Sequence, residues 1–249
     1  MLEACFVSDI GRKRKINQDS VFITDKPLGN IPNLLLLADG MGGHKAGDYA
    51  SRTALEIIKN EIRVSTETDP VKLLTQAIEY ANRQLYEKSM QDSNYSGMGT
   101  TLVAACYTGG QLIVANVGDS RLYLVRKNTM VQVTRDHSYV AEMLRNGTLT
   151  REQAKNHPRK NYITRAVGAF SKTTADFFYV DILPTDIILV CSDGLTNMLE
   201  DGEILSVIYQ EKSLPQACAR LVREANANGG IDNVSVILAR PLNEKEVEL

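Results

Sequence analysis

Asp39, Asp119, Asp193 and Asp232 each stand at the end of an apolar run. Asp39 closes "LLLLAD", Asp119 closes "LIVANVGD", Asp193 closes "IILVCSD" and Asp232 opens "DNVSVILA". Each lies beside a glycine or one residue from it: Gly40, Gly118, Gly194 and Gly230. Taken singly, each is an ordinary strand-end turn residue. Taken together they imply more, because strands that share a sandwich can bring their ends to one rim. Two carboxylates about 4 Å apart repel by roughly 4 kcal/mol at an effective dielectric of 20. Several converging would consume much of the roughly 5–15 kcal/mol that holds a domain together. Protons or cations must relieve that repulsion. An all-oxygen donor set with no nearby Cys/His cluster implies hard ions, Mg²⁺ or Mn²⁺. The bare stretch "ADGMGGH" after Asp39 then admits a backbone carbonyl, that of Gly40, as a further oxygen donor.

The elements that must position these residues are mixed. "NLLLLAD" is short and continuously apolar, as a fully buried strand is. "GDYASRTALEIIKNEIR" carries Ala50, Ala54, Ile57, Ile58 and Ile62 at helical spacing. Asp69-Pro70 marks the start of a second helix, whose face holds Leu74, Ala77, Ile78, Ala81 and Leu85. From Gly99, the runs "TTLVAACY", "QLIVANVG", "RLYLVR" and "MVQVT" predict an antiparallel meander with hairpin turns at "TGG", "DS" and "KNT". The segment "RNGTLTREQAKNHPRKNY", about residues 145–163, is polar, has a capping signal at Thr150–Gln153, and predicts a surface flap. Strands resume at "DFFYVDI" and "DIILVCSD", followed by helices at "EILSVIYQ" and "LPQACARLVREANA", the latter stopped by Gly229-Gly230. "NVSVILA" is the last strand. Blocks of strands and helices argue for an α+β layered domain over residues 1–240, with a polar tail at 241–249.

Composition narrows the function classes. The chain has 249 residues, 43% hydrophobic and 23% charged, as a globule with a real core has. Net charge is −2, which gives no basic field for nucleic acid. No apolar run reaches the roughly 18 residues of a membrane span, and no signal-peptide region stands at the N-terminus. Cys5, Cys106, Cys191 and Cys218 form no CxxC pair and read as reduced core thiols of a cytoplasmic protein. The basic run "RKRK" at residues 12–15 sits in a net acidic chain, so solvated surface charges explain it better than nucleic acid does. His137 and His157 read as structural or exposed flap residues.

"NQDS", "ADGMGGH", "GTT", "NVGDSRLYL", "CSDGLTNML" and "DNVSVILA" occur in the order seen in the metal-dependent Ser/Thr protein phosphatases of the type 2C family. The chain resembles the compact bacterial branch of that family from Val7 to Arg240. The resemblance implies a central β-sandwich of two antiparallel sheets flanked by helix pairs, in α-β-β-α layers. It implies two core Mn²⁺ or Mg²⁺ ions plus a weaker third. Asp39 would bridge the core pair, the Gly40 carbonyl would bind one ion, and Asp193 and Asp232 the other. Asp19 would act through ion-bound water, and Asp119 with Asp193 would hold the third ion. Arg14 would grip the substrate phosphate. His44 would stand as a candidate general acid, although animal-type relatives place a histidine directly after the Asp-Gly pair, where Met41 stands here. Phosphoserine and phosphothreonine in proteins would be hydrolysed by direct attack of an ion-bridging water or hydroxide, without a phosphoenzyme. The partners implied are phosphoproteins and a bacterial Ser/Thr kinase whose work is reversed; the chain is expected to be monomeric. Three rivals remain: a two-metal nuclease, an inactive regulatory member of the same fold, and a phosphoprotein-binding module.

Overall fold

The computed structural model describes residues 2–43, 46–155 and 157–242. Strand β3 (Leu34–Met41) is its organising element, and its apolar run is explained by cover on both faces. Leu34 and Leu36 point into one layer, Leu35 and Leu37 into another. That is the period of two of a strand. β3 lies between β2 (Asp19–Thr24) and β5 (Leu102–Thr108), with β6 (Gln111–Val117) and β9 (Asp176–Asp181) beyond. The short β4 (Gly99–Thr100) pairs with the far end of β3. A second sheet has the order β1 (Leu2–Asp9), β11 (Val234–Pro241), β10 (Ile187–Cys191), β7 (Arg121–Arg126), β8 (Thr129–Gln132). These pairings are antiparallel in both sheets.

Three apolar interfaces stack the layers. Helices α1 (Ala46–Val64) and α2 (Pro70–Gln91) bury Ala50, Ala54, Ile58, Leu74, Ile78 and Leu85 against the first sheet. The two sheets meet through Leu35, Leu37, Val103, Val114, Val190 and Ile237. Helices α6 (Asp201–Gln210) and α7 (Leu214–Ala227) cover the second sheet with Ile204, Val207, Leu221 and Ala225. The order helix–sheet–sheet–helix is that expected from the resemblance. Local signals hold where side chains do the capping. The Asp69 carboxylate accepts from the N–H groups of Val71 and Lys72, at 2.8 and 3.2 Å. Thr150 and Gln153 cap each other reciprocally at 2.9 and 3.3 Å.

Two expectations are corrected. The N-terminal stretch, to which the patterning assigned no element, forms β1 and, after a turn, β2. β1 ends its sheet and pairs on one side only, so its sequence need not alternate cleanly. The predicted meander is not one sheet. β5–β6 and β7–β8 are hairpins, but β6 and β7 belong to different sheets, so Gly118–Ser120 crosses the sandwich instead of closing a hairpin. β9 and β10 are likewise in different sheets. Apolar patterning reports that a strand is buried, not which sheet buries it.

Between β8 and β9 the chain carries α3 (Tyr139–Arg145) and α4 (Arg151–Lys155). Among the described residues there, the apolar side chains fully buried are those of Ala154, Ala166 and Val167. Isolated bridges Thr100–Val167 and Ser138–Ile163 tie the segment down. Of the tail, residues 243–249 lie outside the described residues. No helix among the described residues is long and apolar enough to cross a membrane.

Candidate metal centre

Asp19 and Asp39 are direct partners across the β2–β3 ladder. Asp193 opens α5 (Asp193–Thr196), immediately after β10, and Asp232 stands just before β11. Asp119 sits at the crossover between β6 and β7. One sheet thus supplies Asp19 and Asp39, the other Asp193 and Asp232, and the link between them Asp119.

Asp19, Asp39, Asp193 and Asp232 are held by hydrogen bonds. The Asp39 N–H donates to Thr101 Oγ1 at 2.9 Å, and its carbonyl accepts from the Thr101 N–H at 2.8 Å and Thr100 Oγ1 at 2.9 Å. Thr101 Oγ1 also lies 2.7 Å from Ser120 Oγ, which ties β3 to the crossover. Asp19 Oδ2 accepts from buried Ser192 Oγ at 2.8 Å, while Asp19 Oδ1 is buried with no hydrogen-bond partner. Asp193 Oδ2 accepts from Asn197 Nδ2 at 2.9 Å. Asp232 Oδ2 accepts from Arg14 Nη2 at 2.6 Å, and its Oδ1 from the Asn233 N–H at 2.8 Å.

Each of these groups lies within electrostatic reach of others in the set. Burial pushes Asp39 well above the ordinary carboxylate range, and the charges of Asp19, Asp193, Asp119 and Asp232 push it further. Burial raises Asp19 to about 7, against hydrogen bonds from Ser235 and Ser192. Asp119 rises to about 8 through burial and then the charge of Asp193. Asp193 rises to about 6 through burial and then the charge of Asp232. The Arg14 guanidinium rises, first through its hydrogen bond to Asp232. Among the described residues no three His, Cys, Asp or Glu side chains close on one point as a ready-made ion cage. The donors nonetheless suit a hard divalent cation: they are oxygens, they repel one another, and Asp19 Oδ1 is buried without a partner. Mg²⁺ in particular keeps several waters and takes one or two carboxylates, not a full protein cage.

A pH dependence follows for the metal-free protein. Folded-state values of about 6 to 8 for Asp193, Asp19 and Asp119 lie above the ordinary 3.8, so the folded chain binds protons more tightly than the unfolded one. The stabilising effect of protonation is complete below that unfolded value and is lost as pH rises through about 6 to 8. Without metal, Tm falls by several degrees between pH 5 and 8; adding Mn²⁺ flattens the fall. Calorimetry with and without the ion checks both slopes.

The bare backbone has a packing cause. A Cβ on Gly40 would run into the Gly47 carbonyl of α1, and the Gln18 carbonyl would be 2.8 Å away. A Cβ on Gly47 would meet the Gln18 amide and, at 2.8 Å, the Gly40 carbonyl. Helix α1 therefore rests on the end of β3 backbone to backbone, a closeness only glycine permits. The expected role of the Gly40 carbonyl as a donor is compatible with this contact but is not what demands the glycine. His44 lies outside the described residues.

Sequence reasoning missed Asn233, Thr101 and Ser192 as positioning residues. Asn233 accepts from the Gln18 N–H at 2.9 Å and donates to the carbonyls of Ile10 and Ile16 at 2.9 and 3.0 Å. It thereby shapes the loop that carries Arg14. His137 Nδ1 accepts from the Gly118 N–H at 3.0 Å, which places its proton on Nε2, 3.1 Å from Asp176 Oδ2. Burial lowers its pKa, so a neutral ring braces the crossover, in keeping with the structural role expected of it. Thr101 and Ser192 lie inside "GTT" and "CSD" but far along the chain from the acids they serve, Asp39 and Asp19; membership of those motifs was the one signal.

Residues 11–233 match the protein phosphatase 2C family. The chain is 42% identical to the serine/threonine phosphatase of Listeria welshimeri over 95% of both chains. It superposes with a TM-score of 0.91 on the serine/threonine phosphatase of S. agalactiae, at 37% identity, over 97% of this chain and 100% of that one. It also superposes, at 0.85 and 31% identity, on the catalytic domain of a serine/threonine protein phosphatase in complex with two manganese ions, over 97% and 99% of the two chains. A match across nearly all of the layered fold, including both sheets that supply the carboxylates, makes this chain a member of the protein phosphatase 2C family, a metal-dependent family.

Proposed function

We infer that this chain is an active protein serine/threonine phosphatase, acting on phosphoserine and phosphothreonine in proteins. The observation that carries the reading is that two sheets and the link between them bring Asp19, Asp39, Asp119, Asp193 and Asp232 within charge reach of one another, with Arg14 on Asp232. Asp39 and the Gly40 carbonyl would hold one ion, and Asp39, Asp193 and Asp232 its neighbour. Asp19, through water, would steady the pair, and Asp119 with Asp193 would hold a weaker third ion. When bound, two Mn²⁺ or Mg²⁺ ions neutralise phosphoryl charge and lower the pKa of water. The chain's own part is to place them. Asp19 and Asp39 are locked in one ladder, Asp193 is set by its strand-to-helix turn, and Asp232 by Asn233. Arg14, with its side chain about half exposed and paired to Asp232, stands where a phosphate dianion can take a charge-assisted contact. The chain acts as a monomer opposite a bacterial Ser/Thr kinase.

The test is phosphate release from a phosphothreonine peptide with Mn²⁺, for wild type and Arg14→Ala. Wild type turns over. Arg14→Ala raises KM by roughly 10–100-fold and leaves kcat within a few-fold, because a charge-assisted hydrogen bond of about 1.5–3 kcal/mol is lost from ground and transition states alike. No turnover by wild type refutes the reading; unchanged KM refutes the role of Arg14.

Asp119→Ala separates a third ion from a turn residue. A capping carboxylate would cost roughly 0.5–2 kcal/mol when removed. Asp119 instead occupies a sheet crossover and is raised by burial and repulsion. Asp119→Ala therefore leaves the metal-free Tm unchanged or higher, removes the weakest-bound Mn²⁺ and lowers kcat. Calorimetry, metal titration and turnover on one preparation decide. A lower Tm with unchanged ion count and kcat would overturn the third-ion role.

A further inference from the structure

Cys5 on β1 and Cys218 on α7 are 213 positions apart in the chain, yet their sulfurs lie 3.3 Å apart. The two thiols are free in this structure. Cys5 is half-buried on the edge strand, and Cys218 is buried among the residues between α7 and the second sheet. A disulfide needs about 2.05 Å, so closure asks for about 1.3 Å of approach. β1 pairs with β11 on one side only, which leaves that movement to a strand without a second neighbour. The four cysteines, read from the sequence as reduced core thiols, thus divide. Cys106 and Cys191 are buried and pushed up to about 12 by that burial. Cys5 is lowered by the hydrogen bond from Cys218, against the effect of its partial burial.

We propose that Cys5 and Cys218 are a reversible oxidation site that closes, under a hydroperoxide, to an intramolecular disulfide joining β1 to α7. The steps balance. The Cys5 thiolate attacks one peroxide oxygen; the S–O bond forms, the O–O bond breaks, and the departing hydroxide takes a proton to become water. Cys218 sulfur then attacks the Cys5 sulfenic acid; the S–S bond forms, the S–O bond breaks, and a second water leaves. Two thiols lose two electrons and two protons, and the hydroperoxide is reduced by two electrons. The site lies in the β1–α7 packing and needs no metal.

The experiment uses the full chain, reduced and treated with a chelator, then exposed to a few equivalents of hydrogen peroxide. Remaining thiols are alkylated and the digest is read by mass spectrometry. Wild type yields a Cys5–Cys218 linked peptide about 2 Da lighter than the sum of the reduced pair, restored by dithiothreitol, with Cys106 and Cys191 alkylated only after unfolding. In Cys218→Ser, closure is impossible, and dimedone traps the Cys5 sulfenic acid at least tenfold more than in wild type. The wild-type peptide needs no variant to fold. Wild-type Cys5 passing to sulfinic acid as in Cys218→Ser, with Cys218 still alkylatable, would overturn the site. So would a linkage found only between two chains.

Discussion

Stripped of divalent cations, the protein loses turnover of a phosphothreonine peptide to below about a thousandth, and Mn²⁺ or Mg²⁺ restores it. The expectation rests on what the rim is without an ion. Asp39, Asp19, Asp119 and Asp193 are raised by burial, and each stands in the field of another of the group or of Asp232. Near neutrality such a rim either holds protons or carries uncompensated negative charge. Among the described residues, the arginines whose charge reaches these acids are Arg14, paired with Asp232 and about half exposed, and Arg121, paired with Asp136 and more enclosed. Arginines already paired offer a grip, not the charge compensation a phosphoryl-transfer transition state demands. Exhaustive chelation, verified by elemental analysis, followed by phosphate release is the measurement. Full activity at near-zero metal content would sink the binuclear reading.

Asp39→Asn is the second large effect, and its signs oppose each other. The substitution keeps size and shape. The hydrogen bonds that fix this position join Thr100 and Thr101 to the Asp39 backbone N–H and carbonyl, not to its carboxylate. The fold is therefore retained. What disappears is one charge facing Asp19, Asp193, Asp119 and Asp232. In the metal-free protein that is relief, and Tm at pH 8 rises. In the loaded enzyme it removes the carboxylate proposed to bridge the core ions, and kcat falls by roughly 10²–10³-fold or more. Calorimetry after chelation and turnover with saturating Mn²⁺ read the two signs. If Tm and kcat both fall together, Asp39 is a structural residue and the bridge must be sought elsewhere.

The acids were legible because chemistry and local structure coincide in them. A carboxylate at the end of a fully apolar strand is readable from a few neighbouring residues, and burial of Leu34–Leu37 on both faces bore out the strand itself. The helices α1, α2 and α7 were legible from periodicity and caps. What could not be read was long-range. The 2.6 Å pair of Arg14 with Asp232 joins residues 218 apart. The change of sheet at Gly118–Ser120 leaves no mark in apolar patterning. β1 was hidden because an edge strand is only partly covered. The Gly40–Gly47 approach was not anticipated: the bare backbone was read as freeing a carbonyl for an ion, since a helix resting on a strand end is a tertiary event.

The division of the acids between the two sheets bears on the order in which the molecule assembles. Asp19 and Asp39 become neighbours once β2 and β3 pair, but Asp193 and Asp232 reach them only when the second sheet has docked. An ion that needs both pairs has no complete seat on either half, so its capture belongs after the main folding barrier. Interactions made that late slow the escape from the native state and leave the approach to it unchanged. In stopped-flow chevrons, Mn²⁺ would then lower the unfolding limb and leave the folding limb in place, so that the ion serves as a kinetic latch on a sandwich already closed.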